Sequence, residues 1–216
     1  MQKAVENGQI RQCLDGLGDA DRISALRCAL EIGDLKLAQS LVSPDQCMLD
    51  FATGSSHVKA LELLLDGGYM ARGSELAASA LPALATQGPL ELIQQIVLLH
   101  SPLPERQDIW LDRWRIALSN ACARGDLPIL QWFAKHPLGG EAYEMRSQEG
   151  VSLLKIAGEH DHALVIQFRY EQGWTDGYEV AMTKAVKKNN LASVKWLLRH
   201  FWPEGRVYKT PAWVVS

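Results

Sequence analysis

Ile116-Ala117-Leu118-Ser119-Asn120-Ala121-Cys122-Ala123-Arg124-Gly125-Asp126-Leu127-Pro128-Ile129-Leu130-Gln131-Trp132-Phe133 reads as two short helices around a tight turn. Leu118, Ala121 and Cys122 stand at three- and four-residue spacing, which is one face of a helix. Leu127, Leu130 and Phe133 make the matching face of the second helix. Gly125 is the expected stop, because glycine reaches positive φ without a Cβ clash. Asp126 is placed to cap the next helix through its carboxylate. Two short helices with one apolar face each cannot bury those faces alone, so the pair requires neighbours.

The neighbours are in the chain. Equivalent turns lie at Gly8-Gln9, Gly33-Asp34, Ser56-His57, Gly88-Pro89, Gly125-Asp126, Asp161-His162 and Asn189-Asn190. Four residues before each stand Ala4, Ala29, Ala52, Leu84, Ala121, Ala157 and Ala185, so two helices are expected to approach closely there. Seven before stand Leu26, Leu49, Leu81, Leu118, Leu154 and Met182; after the turns come Ile10, Leu35, Val58, Leu90, Leu127, Ala163 and Leu191. His57 and Asp126 share the capping position. An internal repeat of this extent outweighs any single motif. It predicts an all-α fold, an α-solenoid of stacked helix pairs over residues 1–202, with six to seven units.

Residues 1–17 are the expected N-terminal cap. Residues 101–115 and 138–150 are expected connectors, the first carrying Trp110 and Trp114 at the spacing of an added helical turn. Pro82 and Pro89 make the fourth unit irregular, with Pro89 in the first turn of its second helix. The tail 203–216 holds Val207, Trp213 and Val214, suited to covering the last unit. Trp132 and Trp196 are expected to pack between neighbouring second helices. Tyr69, Trp174 and Trp202 follow equivalent helix exits, where aromatic rings suit wedging between units.

The pattern resembles ankyrin repeats. Ser24-Ala25-Leu26-Arg27-Cys28-Ala29 keeps the Leu and Ala of the family's Thr-Pro-Leu-His-x-Ala start. Ser56-His57-Val58-Lys59-Ala60-Leu61-Glu62-Leu63-Leu64-Leu65-Asp66-Gly67-Gly68 resembles its turn, second helix and glycine exit. Turn spacings of 25, 23, 32, 37, 36 and 28 residues are irregular against the family's period of about 33. Short β-hairpins between units are therefore expected only in part of the array, and a HEAT-like solenoid is the structural alternative. The resemblance implies protein binding along a concave face, at the residues just before each turn: Glu31, Ile32, Gln87, Arg124, Glu159, His160, Lys187 and Lys188. Tyr69 and Trp174 at the exit tips are weaker contact candidates.

Charge is polarised along the chain. Residues 1–108 hold eight Lys+Arg and fourteen Asp+Glu, and residues 109–216 hold fourteen and eleven. Such a gradient steers a partner of opposite polarity. The overall charge of −3 and the lack of a recognised motif argue against nucleic acid. No apolar run reaches the roughly 18 residues of a membrane span, and Met1 to Asp15 lack the apolar core of a secretory signal. Cys13, Cys28, Cys47 and Cys122 form no ligand spacing; reduced thiols in a cytoplasmic protein are the reading. Cys13, Cys28 and Cys122 fall at or beside packed positions, where cysteine acts as a small apolar residue.

Chemistry has one candidate. Glu159-His160-Asp161-His162 gathers potential metal ligands, and His-x-His can hold zinc. It sits on a turn, and no nucleophile elbow, phosphate loop or dinucleotide fingerprint accompanies it. The expectation is a monomeric, non-enzymatic protein-binding module without a cofactor, in its sharper form a neutraliser of a toxin or enzyme. A bacterial effector or adaptor recruiting a host protein is the alternative, and a metal-dependent enzyme using the Glu159–His162 cluster is the third reading.

Overall fold

The computed structural model describes residues 16, 18–43, 48, 50–52, 57–70, 75–99, 107–148, 153–173 and 177–201, with backbone alone at 75–76 and 143–148. Among these residues the regular structure is helical throughout, with no strand. The protein is all-α. The expected N-terminal cap (all but Gly16) and C-terminal tail lie outside the described residues, as do 44–47, 49, 53–56, 71–74, 100–106, 149–152 and 174–176, with Leu49 and Ser56 of the expected repeat among them. The chain divides into two compact units, residues 1–107 and 108–216.

In the first unit, α1 (Asp19–Glu31) and α2 (Leu35–Leu41) pack as a helix pair. Leu26 and Ala29 of α1 and Ala38 and Leu41 of α2, three residues apart on each helix, are buried. The Leu37 N–H donates to the Asp34 carboxylate at 3.0 Å, which satisfies one orphan amide of the α2 start. Next come α3 (Val58–Asp66), α4 (Glu75–Gln87) and α5 (Leu90–Val97), with α4 packed against both neighbours. Pro82 lies inside α4, where it removes one backbone donor. Burial of Ala78, Leu81, Leu84 and Ala85 on the same helix offsets that loss. Pro89 stands one residue earlier than expected, at the N-cap of α5 in extended conformation (ψ 152°).

The second unit begins within the first turn of α6 (Gln107–Arg124), eighteen residues long. The expected connector 101–115 is thus helical from Gln107 and continuous with the helix of the opening stretch, rather than a separate turn laid on it. The cause is one long apolar stripe: Trp110, Trp114, Leu118, Ala121 and Cys122 are all at most 1% exposed. The turn Gly125-Asp126 leads to α7 (Leu127–Lys135), which buries Ile129, Leu130 and Phe133. The Trp114 indole Nε1–H donates to the Phe133 carbonyl oxygen at 3.2 Å and meets the Phe133 ring edge-on at 4.8 Å.

The expected connector 138–150 is instead α8 (Pro137–Gln148), packed on α7. Pro137 opens it at the first helical position, where its fixed φ and missing N–H fit. Gly139 is not linker composition: a Cβ there would collide with the Phe133 and Ala134 carbonyl oxygens. Leu138 and Ala142 are buried beside it. Two helix pairs follow among the described residues, α9 (Leu153–Glu159) with α10 (Ala163–Glu171) and α11 (Tyr178–Lys187) with α12 (Leu191–Phe201). Here α9 packs on α11 and α10 on α12, first helix to first and second to second. Gly158 lets α9 come close, since a Cβ would lie 2.7 Å from the Ala181 carbonyl oxygen. No helix among the described residues is long and apolar enough to cross a membrane.

Candidate functional site

The turns α1/α2, α6/α7, α9/α10 and α11/α12 share one backbone device. Gly33 (φ 77°), Gly125 (φ 76°), Asp161 (φ 61°) and Asn189 (φ 58°) occupy the left-handed region at the same step of each turn. Glycine adopts it freely, and Asp and Asn are among the few other residues that tolerate it. The residue after three of them closes the turn by donating its N–H to an alanine carbonyl five positions back: Asp34 to Ala29, His162 to Ala157 and Asn190 to Ala185. His57 donates to Ala52 in the same way. These alanines, with Ala121, are at most 1% exposed, as the repeated alanine position required.

In the second unit the turns are tied to one another. His162 Nε2 donates to the Ala123 carbonyl oxygen at 2.8 Å, joining the α9/α10 turn to the α6/α7 turn. Asn190 Nδ2 donates to the carbonyl oxygens of Gly158 and Glu159, both at 2.8 Å, joining the α11/α12 turn to the α9/α10 turn. The Asp161 carboxylate accepts from the Ser193 N–H at 2.9 Å across the same junction. Each such bond contributes about 0.5–1.5 kcal/mol net. The position after the left-handed residue therefore has two uses. Asp126 turns inward on its own helix, accepting from the Ile129 N–H at 3.1 Å, whereas His162 and Asn190 reach back to the preceding turn. His57 makes no side-chain cap, contrary to the capping role expected of it, and its ring lies 5.8 Å from Phe51.

This ladder carries a row of side chains it does not use. Arg124, His160, Lys187 and Lys188 are exposed and Glu159 is half-buried. Arg124 forms an ion pair with Asp126 at 3.0 Å, and Glu159 lies 3.6 Å from Lys184. In the first unit Glu31, Ile32 and Gln87 are also exposed, Ile32 to 75%, and Tyr69 is 37% exposed with its ring against Gly67. Trp174 and Trp202 lie outside the described residues.

The Glu159–His162 cluster does not converge. The His160 and His162 rings stack at 6.2 Å, His162 is committed to Ala123, and Glu159 faces Lys184. Among the described residues, no group of three or more His, Cys, Asp or Glu is arranged to hold a metal ion. Cys122 is buried, while Cys28, expected at or beside a packed position, is exposed.

Two aromatic clusters were only partly legible. Trp196 stacks on His200 at 3.9 Å and meets Tyr170 of α10 edge-on at 5.5 Å, the contact between second helices that was expected. Trp132 instead packs on its own pair, against Trp114 at 5.7 Å and His136 at 5.6 Å. The inter-turn bonds of His162 and Asn190 were missed altogether. Their signal was a polar residue with a long reach following Asp or Asn where other turns have glycine.

No family model matches the chain, and neither a curated protein nor a solved structure is significantly similar to it.

Proposed function

We propose that the protein is a non-enzymatic protein-binding module, built as an ankyrin-like α-solenoid, and that its second unit binds a protein partner along the row of turns. One observation carries the reading. The turns are locked together through His162, Asn190 and Asp161, while Arg124, His160, Lys187 and Lys188 project from the same turns exposed. A preorganised backbone that presents variable side chains loses little entropy on binding. A neutraliser of a toxin or enzyme in a reducing cytoplasm is the specific form this reading takes.

The test is site-specific crosslinking. A photoreactive residue at position 124, 160 or 187 of the full chain should capture one saturable protein species from its native cell lysate. The same residue at the exposed Asp112 of α6 should not. Equal capture at both places, or none at the turns, overturns the reading.

A further inference from the structure

Helix α12 has two sides with opposite uses. Ser193 and Leu197, one turn apart, are fully buried. Directly opposite, Leu191, Lys195 and Leu198 follow at four and three residues, a single stripe on the helix surface. Leu191 is 58% and Leu198 48% exposed, and Lys195 and the flanking Arg199 are exposed as well. The preceding turn adds exposed Lys187 and Lys188. Residues 184–201 hold five Lys or Arg and no Asp or Glu. Of the five, Lys184 is held near Glu159. Among the described residues no carboxylate pairs with Lys187, Lys188, Lys195 or Arg199.

We propose that this stripe docks an acidic amphipathic segment of the partner protein. Leu191 and Leu198 are two helical turns apart, about 10 Å, which matches two apolar side chains at the same interval on a partner helix. Lys195 stands between them and Arg199 beside them, so carboxylates on that helix would be neutralised where the leucines bury. Charge complementarity selects the partner's sign and the leucines select an amphipathic segment over a plain acidic tail. The stripe has no aromatic residue for anchoring at a bilayer interface or for stacking on bases, which favours protein over membrane or nucleic acid. This inference rests on the protein-binding reading and adds the chemistry of the partner and a second contact face.

The experiment uses the full chain and a fluorescent synthetic helix with glutamates along one stripe and leucines seven residues apart. Anisotropy should show saturable binding that weakens as salt rises. The pair K195E and R199E, and separately the pair L191S and L198S, should each weaken it at least about tenfold, with unchanged thermal unfolding. A probe with lysine in place of glutamate should not bind. No binding of the acidic probe, binding unaltered by either pair of substitutions, or equal binding of anionic phospholipid vesicles or a single-stranded oligonucleotide overturns the proposal. Crosslinking at position 124 separates the two readings. A partner captured there, with no binding of the acidic probe, overturns this inference alone.

Discussion

The His162 ring lies against Gly125, one turn seated on the next, and its Nε2 donates to the carbonyl oxygen of Ala123 two residues before that glycine, at 2.8 Å. Gly125 is fixed there twice over. Its φ of 76° penalises any side chain, and a Cβ would enter the space of the imidazole. Gly125→Ala should destabilise the protein by about 2 kcal/mol, from left-handed strain plus the displaced hydrogen bond. Urea unfolding followed by circular dichroism measures it. His162→Ala should cost about 1 kcal/mol, and in its presence Gly125→Ala should cost less than it does alone.

Asn189 and Asp161 hold the same backbone conformation for different reasons. No side-chain bond of Asn189 takes part in the ladder, whereas the Asp161 carboxylate accepts from the Ser193 N–H at 2.9 Å. Asn189→Gly relieves left-handed strain and should leave stability unchanged or raise it by up to about 1 kcal/mol. Asp161→Gly relieves the same strain but loses the bond, so it should fall below Asn189→Gly by about 1 kcal/mol. Thermal melts of the two variants, side by side, decide whether the ladder contributes as described.

Trp114 joins α6 to α7 by ring and by hydrogen bond. It is fully buried, donates to the Phe133 carbonyl oxygen, and packs against Phe133, Trp132 and His136. Trp114→Ala should destabilise by about 3–5 kcal/mol through the cavity it leaves. Trp132→Ala, at a half-buried ring, should cost distinctly less. Denaturant midpoints of the two variants test the ranking.

What the sequence made legible was local and periodic. The turns at Gly33 and Gly125, the buried alanines four residues before each turn, and the cap by Asp126 follow from backbone sterics and helical spacing, both written in neighbouring residues. What it concealed was tertiary. Gly139-Gly140 resembles a linker, yet Gly139 marks the approach of α8 to the Phe133 and Ala134 carbonyl oxygens. That requirement comes from another helix and leaves no local trace. Trp110 and Trp114 lie before the positions that recur from unit to unit, so the repeat does not reach them, although their spacing continues the stripe of Leu118. His162 likewise occupied a capping position in the sequence, and only the neighbouring turn determines that its imidazole reaches Ala123 instead. The exposure of Glu31, Ile32, Gln87, Arg124, His160, Lys187 and Lys188 was legible, since the positions before the turns vary while the alanines do not; how the turns are held together was not.

We infer that the tied turns of the second unit present Arg124 to a protein partner. Arg124→Glu tests it most directly. The side chain is exposed and its ion pair with Asp126 is partly solvated, so the substitution should cost under about 1 kcal/mol. The variant should keep an unchanged cooperative melt and lose the partner captured by the wild-type chain in a quantitative pull-down. Partner capture at the wild-type level by a folded Arg124→Glu variant would contradict it.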